Sequence, residues 1–491
     1  MLFTQLLEKT EYTGIALPFD VDHITNDSRE ARSGSVFVCV KGFATDGHLY
    51  ALRAYENGCR AFVCERFPDL LPEDASVVIV KDSRRALALL SAELYRHPSK
   101  ELTVIGITGT KGKTTTALMI KQLLDLVHIP CGYVGSNGII FGSQRIDSAN
   151  TTPESYKLQE YIRKMVDSGI KAVVMEISSQ ALKLDRTLGM SFDITLFTNF
   201  SPDHIGPTEH HDLDDYFQAK KKLFDNFSAR TVIANADDPK TDKMLADCKS
   251  EKFYYSVGGN ANISAQSIGL LRSEKMLGAS FDCVENGNII PCSLAVPGEF
   301  NIHNALAAIS VARALGIDYN DITEALAKMN IEGRFETLCL PNGACFVIDY
   351  AHNGLSLRSA LLALREYEPR RLFCLFGSVG CRTQVRRSQM GEVASRYADF
   401  SILTSDNPDT EDPQSIINDI AIQYSNPDSY ISIPDRAEAI RYACSIAQNG
   451  DIVLLAGKGH ERYQLVNGKK QYFREREIIE DYINSQQAVK N

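Results

Sequence analysis

The sequence predicts an α/β protein of three domains, a small mixed α/β domain followed by two domains with largely parallel sheets. Three observations predict it. A short β-branched strand, a glycine-rich loop and a helix-patterned stretch follow one another across residues 102–124. Strand-like and helix-like stretches then alternate to about residue 333, and alternation resumes from Cys345 to Ala456. Length agrees, since 491 residues correspond to about three domains at roughly 150 residues each.

Residues 1–100 mix short strands and helices. Within them Asn26-Asp27-Ser28-Arg29 could bind a nucleotide headgroup or phosphate, although a solvated turn explains the same residues. The polar, proline-containing stretch Tyr95-Arg96-His97-Pro98-Ser99-Lys100 reads as the first boundary.

The central domain, residues 101–333, opens on Leu102-Thr103-Val104-Ile105, a buried strand, and runs into Gly106-Ile107-Thr108-Gly109-Thr110-Lys111-Gly112-Lys113-Thr114-Thr115-Thr116. Glycines let successive N–H groups turn toward one anion, and the helix that follows adds its positive end. Lys113 can then reach outer phosphates and the Thr114 hydroxyl can ligand Mg²⁺. Ile107 stands where the general pattern has its first glycine, one residue after Gly106. The loop points to ATP or another nucleoside triphosphate.

Two further strands, ending in Glu176-Ile177-Ser178-Ser179 and in Asn199-Phe200-Ser201-Pro202-Asp203-His204, place Glu176 and His204 at strand carboxyl ends, where ligands of open sheets collect. With Thr114 they form a candidate Mg²⁺ site. The helix-like stretch 216–224 carries Lys220-Lys221-Lys222, a run that alone reads as a solvated face. Asn301 and Asn304 share a face at the start of another helix, where amides either read an adenine edge or cap the helix.

The third domain, residues 334–491, follows a break at Gly333-Arg334. Its strands lead into polar loops: Asp349-Tyr350-Ala351-His352, Gly377-Ser378-Val379-Gly380-Cys381-Arg382, Asp406-Asn407-Pro408-Asp409 and Gly457-Lys458-Gly459-His460-Glu461. That is a Rossmann-like arrangement with chemistry at one sheet edge. The tail beyond about Ser485 is expected to fray.

A net charge of −10 and pI near 5.6 disfavour nonspecific nucleic-acid binding. The N-terminal stretch lacks the pattern of a signal peptide, and no run of 18 apolar residues predicts a membrane span. The twelve cysteines are scattered, without a C-x-x-C pair, so they are expected to be reduced core residues of a cytoplasmic protein.

These stretches, in this order and spacing, resemble the Mur ligase family across all three domains, and within it the UDP-N-acetylmuramyl-tripeptide synthetases. The resemblance rests on Gly109 to Thr115, Asn150-Thr151-Thr152-Pro153, Met175 to Ser179, Asp203-His204, Asn301 to Asn304, Gly333-Arg334, Asp349 to His352, Asp406 to Pro408 and Gly457 to Glu461. It implies an ATP- and Mg²⁺-dependent ligase that adds a third amino acid to UDP-MurNAc-L-Ala-D-Glu through an acyl phosphate. Small-molecule substrates, no nucleic acid and a monomer are expected.

The family pattern implies roles residue by residue. ATP would be held by Gly109, Thr110, Lys111, Gly112, Lys113, Thr114, Thr115, Asn301, Asn304, Arg334 and Asp349. Metal would be held by Thr114, Glu176, His204 and Lys220 as a carbamate, and Lys113, Glu176, His204 and Lys220 would be catalytic. Ser28, Thr151, Thr152, Ser178 and Arg186 would bind the UDP precursor. Arg382, Asp406, Asn407, Asp409, Gly457 and Glu461 would bind the amino acid.

Members using meso-diaminopimelate carry an arginine where this chain has Asp409, whose charge should repel that substrate's extra carboxylate. With Ile205-Gly206-Pro207-Thr208-Glu209-His210 and Asn353, this favours L-lysine; meso-diaminopimelate or another amino acid is the alternative. A folylpolyglutamate-synthetase-like ligase, or a nonenzymatic nucleotide-dependent regulator, are the other readings considered.

Overall fold

The runs Val36-Phe37-Val38 and Ala61-Phe62-Val63-Cys64 have no polar position, the pattern of strands buried on both faces. In the computed structural model they form the middle of a five-stranded sheet. Its strands are β1 (Thr13–Gly14), β2 (His23–Thr25), β3 (Ser35–Val38), β4 (Ala61–Cys64) and β5 (Ser76–Ile79), in the order β1-β5-β4-β3-β2. Only β1 runs antiparallel to its neighbour. The structure describes residues 1–42, 45–203, 205–206, 209–273, 276–381 and 384–490, with side chains to 486. Two expected site residues, His204 and Arg382, lie outside the described residues.

The chain divides into two units, Met1–Tyr255 with Ala307–Gly316, and Ser256–Leu306 with Ile317–Asn491. In the first, a second sheet contains β6 (Thr103–Thr108), β7 (Cys131–Gly135), β8 (Gly138–Phe141), β9 (Gln144–Ile146), β10 (Ala172–Glu176), β11 (Ile194–Phe197) and β12 (Thr231–Asn235). β13 (Glu251–Val257), through Tyr255, completes it in the order β13-β12-β11-β6-β10-β7-β8-β9. All pairs from β13 to β7 are parallel, and β8 and β9 add an antiparallel edge. Since β10 and β11 flank β6 on opposite sides, the loop after β6 opens at a topological switch point. Val104, Val173, Met175, Phe192, Phe197, Leu223 and Phe224 pack one core against this sheet.

The expected boundary at residues 95–100 is exposed at Arg96 and Lys100 and packed between them. Pro98 and Ser99 are buried in a 3₁₀ turn, and Ser99 Oγ accepts the Ser191 N–H at 3.1 Å. The amino-terminal sheet is also tied to the central one through Glu30, which accepts from Tyr156 (3.2 Å) and pairs with Lys157 (3.0 Å).

The second unit holds an antiparallel set, β14 (Ile263–Ser273), β15 (Met276–Glu285) and β16 (Asn288–Leu294). It also holds a six-stranded sheet of β17 (Glu336–Cys339), β18 (Cys345–Asp349), β19 (Leu372–Phe376), β20 (Phe400–Leu403), β21 (Tyr430–Ser432) and β22 (Ile452–Ala456), ordered β17-β18-β22-β19-β20-β21. Only β17 is antiparallel there. A hairpin of β23 (Tyr463–Val466) and β24 (Lys469–Tyr472) follows. The expected three-domain α/β architecture is present, with a Rossmann-like sheet last.

Two expectations need correction. Cys339 and Cys345 are joined in a disulfide, because the β17–β18 register sets them directly opposite with Cα atoms 4.1 Å apart. Beyond Ser485, where fraying is expected, the backbone continues the helix Glu475–Lys490, whose earlier turns pack Ile478, Ile479, Tyr482 and Ile483 on the core.

Candidate active site

The glycine-rich loop is shaped by β11 as much as by its own glycines. Gly109 adopts φ +152°, and a Cβ there would stand 2.0 Å from Thr198 Oγ1. No side chain fits between loop and strand end. Thr198 Oγ1 and Asn199 Nδ2 donate to the Lys111 carbonyl (2.8 and 3.0 Å), and the Lys111 N–H donates to Asn199 Oδ1 (2.9 Å). The Thr110 N–H reaches the Asn199 carbonyl at 2.9 Å. Gly112, at φ +81°, caps the helix Lys113–Leu126, so that Lys113 and Thr114 occupy its first turn. Lys113 Nζ donates to the Gly109 and Thr110 carbonyls (2.8 and 2.9 Å), placing its charge in the mouth of the loop.

Glu176, fully buried at the end of β10, faces this loop. Its Oε2 accepts from Thr114 Oγ1 at 2.8 Å, and its Oε1 accepts from the Tyr133 hydroxyl (2.5 Å) and the Ser136 N–H (2.9 Å). Carboxylate and hydroxyl oxygens side by side suit a hard cation such as Mg²⁺. Among the described residues no group of three His, Cys, Asp or Glu side chains forms a metal cage. A site of the expected kind therefore needs Thr114 and Lys220 as well, with His204 outside the description.

Four of the five residues expected for the UDP precursor, Thr151, Thr152, Ser178 and Arg186, surround the same strand end. Thr152 Oγ1 donates to the Glu176 carbonyl (2.8 Å) and accepts the Ser178 N–H (3.0 Å). Arg186 Nη1 donates to the Thr152 carbonyl (3.1 Å), and its Nη2 pairs with Glu154 at 2.7 Å. Arg186 Nε is buried without a hydrogen-bond partner. Thr151 Oγ1 lies 3.0 Å from Ser136 Oγ, while the Ser178 hydroxyl caps the helix Ser179–Lys183. Ser28 is not hydrogen-bonded to any of them. It is buried by the amino-terminal sheet, where its carbonyl accepts from Asn57.

Lys220 departs most from its sequence reading. It is 1% exposed, within the helix Leu213–Asp225. Its Nζ donates to the Gly109 carbonyl (2.8 Å) and lies 4.4 Å from the Tyr216 ring centroid. Burial, reinforced by the charge of Lys113, holds its amine well below the ordinary lysine pKa. An amine that gives up its proton more readily than an ordinary lysine is the more available nucleophile. The next lysine, Lys221, pairs instead with Asp225 and Asp247 (2.8 and 2.5 Å).

In the second unit, Asn301 Nδ2 donates to the Pro297 carbonyl (2.7 Å) and Asn304 Nδ2 to Asn301 Oδ1 (2.9 Å), so both amides support the helix start. Arg334 lies over the Tyr350 ring at 4.9 Å with Nε buried and unbonded, and Asp349 Oδ2 accepts the Phe335 N–H at 3.1 Å. Burial raises the Asp349 carboxyl pKa.

The loops after β20 and β22 meet around Lys458, which is fully buried and was not among the expected site residues. Its Nζ donates to Asn407 Oδ1 (2.9 Å) and Glu461 Oε2 (2.7 Å) and lies 3.6 Å from Asp406 Oδ1. Asn407 Nδ2 also donates to Glu461 Oε2 at 2.9 Å. Gly457, at φ +113°, lets the loops approach, since a Cβ would stand 2.8 Å from Asp406 Oδ2. Behind them Arg436, paired with Glu475 at 2.8 Å in full burial, donates to the Ser405 and Ala456 carbonyls, one residue before Asp406 and Gly457. Asp409 Oδ1 accepts the Gly468 N–H at 2.8 Å, so the β23–β24 hairpin occupies part of that carboxylate.

Sequence reasoning missed Thr198, Asn199, Lys458 and Arg436. Lys458 had a signal, a lysine between two glycines at a strand end; Arg436 had none, being one arginine in an amphipathic helix.

Three family models match the chain: a Mur ligase family catalytic domain over residues 20–95, a Mur ligase middle domain over 107–312 and a Mur ligase glutamate ligase domain over 333–459. The chain is 39% identical over 469 residues to the UDP-N-acetylmuramoyl-L-alanyl-D-glutamate–2,6-diaminopimelate ligase of Clostridium botulinum, covering 94% of this chain and 95% of that one. It is 41% identical over 466 residues to the protein of the same name from Caldanaerobacter subterraneus, with 94% and 95% covered. A solved structure of a ligase with this name superposes with TM-score 0.72 at 28% identity, covering 99% of both chains. A folylpolyglutamate synthase of Mycobacterium tuberculosis shares the fold at TM-score 0.59 and 17% identity, over 76% of this chain and 92% of that one.

Proposed function

The chain belongs to the Mur ligase family, ATP-dependent ligases that form an amide bond, and on that premise we propose that it adds the third amino acid to UDP-N-acetylmuramoyl-L-alanyl-D-glutamate in peptidoglycan precursor synthesis. The observation that carries this reading is the Thr114–Glu176 pair beside a lysine-bearing phosphate loop, with a buried Lys220 on the loop's own carbonyl. Residues 1–100 are assigned to the UDP precursor, 101–333 to ATP and 334–491 to the amino acid. The protein is assigned to the cytoplasm as a monomer without a nucleic-acid partner. Among the described residues no helix is long and apolar enough to cross a membrane.

The chemistry must join a carboxylate to an amine. One carboxylate oxygen of the D-glutamate side chain attacks the γ-phosphorus of ATP, and ADP leaves. The amine nitrogen then attacks the acyl carbon and loses a proton, and phosphate departs carrying that oxygen. Negative charge accumulates in the first step, and pre-oriented cations and N–H groups lower its barrier. Lys113 and the N–H groups of Gly112 to Thr115 at the helix start do this at the transferring phosphoryl group, the Thr110 and Lys111 N–H groups being held by Asn199. Thr114, Glu176, His204 and Lys220 as its carbamate would hold Mg²⁺, which supplies further charge neutralisation when bound. Thr151, Thr152, Ser178 and Arg186, with Ser28, bind the UDP precursor, and the unbonded Arg186 Nε supports an anionic ligand there. In the second unit Asn301, Asn304, Arg334 and Asp349 are assigned to ATP. Arg382, Asp406, Asn407, Asp409, Gly457 and Glu461 are assigned to the amino acid, whose ammonium suits the carboxylates of Asp406 and Glu461.

For that amino acid, meso-diaminopimelate is supported by the names of the relatives, and the expectation of L-lysine gains no support from them. The L-lysine reading rests on the acidic residue at position 409, with the stretch Ile205 to His210 and Asn353. The Asp409 carboxylate also accepts the Gly468 N–H of the β23–β24 hairpin. A panel of L-lysine, meso-diaminopimelate and L-ornithine with ATP and the UDP-dipeptide decides between them. Asp409→Arg is expected to raise the kcat/KM ratio of meso-diaminopimelate over L-lysine about tenfold, the scale of one charge contact of about 1.4 kcal/mol. An unchanged ratio removes Asp409 from selectivity.

A further inference from the structure

His210 belongs to none of the site assignments above, yet it is 1% exposed and joins two elements of the proposed metal site. Its Nε2 lies 2.9 Å from Ser179 Oγ, at the start of the helix that follows Glu176 by three residues. Its Nδ1 lies 3.3 Å from Asp215 Oδ2, which pairs with Lys183 at 2.6 Å and accepts the His211 N–H at 3.1 Å. The Lys183 partner holds the Asp215 carboxyl at a pKa of about 2, and burial lowers that of the imidazole. Since a carboxylate oxygen only accepts, Nδ1 donates to Asp215, and Nε2 is left facing the Ser179 hydroxyl.

The main chain of His210 grips the other element. Its carbonyl accepts the Gly206 N–H at 3.1 Å, Ile205 and His210 form a parallel bridge, and the Glu209 N–H returns to the Gly206 carbonyl at 3.2 Å. Ile205 and Gly206 directly follow position 204 in the chain. The Tyr216 ring packs 5.2 Å from the imidazole, and its hydroxyl donates to Thr110 Oγ1 of the phosphate loop at 3.2 Å. Among the described residues, the charged groups that act most on the ring are Asp215, Lys183 and Lys220.

We propose that His210 is a positioning residue of the metal site, fixing the segment that follows position 204 against the end of β10 through its bond to Ser179. This rests on the proposed ligation of Mg²⁺ by Glu176 and His204. An imidazole locked between a carboxylate and a hydroxyl has one orientation, so the backbone it carries has one as well. Removing such an outer partner of a metal site weakens metal binding by about 10- to 100-fold.

The test titrates Mn²⁺ into the ADP complex, followed by electron paramagnetic resonance, for wild type, Glu176→Ala, His210→Ala, His210→Gln and Ser179→Ala. His210→Ala is expected to weaken Mn²⁺ about tenfold with an unchanged circular-dichroism spectrum. His210→Gln, whose amide can bond both neighbours, recovers most of that loss. Ser179→Ala, which leaves the imidazole in place, weakens Mn²⁺ in the same direction and serves if His210→Ala does not fold. Wild-type affinity in both His210→Ala and Ser179→Ala overturns the inference. Wild-type affinity in Glu176→Ala overturns the metal-site reading itself, so the two failures are distinguishable.

Discussion

Lys113→Ala abolishes ligation, with kcat expected to fall by at least 10²–10³-fold, or about 3–4 kcal/mol. The ammonium sits at the start of a helix on two loop carbonyls, so it is poised for phosphate rather than for the core. Those carbonyls belong to a loop braced independently by Thr198 and Asn199, and the variant should therefore keep its fold. Steady-state phosphate release with all three substrates, beside a thermal melt, checks both halves. Near-normal turnover would remove the phosphate loop from the mechanism.

Lys220→Ala carries the second large effect. A lysine buried on the Gly109 carbonyl beside a second cation is disfavoured as an ammonium, and an amine that gives up its proton can add CO₂ to become a carbamate. The group then presents two oxygens where the alanine variant has none. Activity is expected to fall at least about 10²-fold and to recover in part with millimolar acetate or formate, which return a carboxylate to the vacated space. Depletion of CO₂ should lower wild-type activity reversibly and leave the alanine variant unaffected. Indifference to the substitution would count against the carbamate.

What was legible in the sequence was what is local. A strand, a glycine-rich turn and a helix lie within about two dozen residues, so the phosphate loop could be read directly, as could Glu176 at the end of an apolar run. Lys220 was less legible because three lysines in succession look like a solvated face. The pattern did contain its burial: Lys220 stands four residues after Tyr216 and four before Phe224, on the stripe that faces the core. The latch from Thr198 and Asn199 depends on β11 lying beside β6, a pairing between strands some 90 residues apart. The Lys458 cluster likewise forms only when the loops after β20 and β22 meet. The disulfide was missed because cysteine spacing alone gives no register, which the β17–β18 pairing supplies.

The central claim, that the chain activates a carboxyl group by phosphorylation and captures it with an amine, is tested most directly by isotope transfer. UDP-N-acetylmuramoyl-L-alanyl-D-glutamate carrying ¹⁸O in the glutamate side-chain carboxylate is incubated with ATP, Mg²⁺ and the amino-acid panel. The expected result is a new amide together with released phosphate that carries one ¹⁸O per bond formed. No amide with any amino acid, or an amide accompanied by unlabelled phosphate, would contradict it.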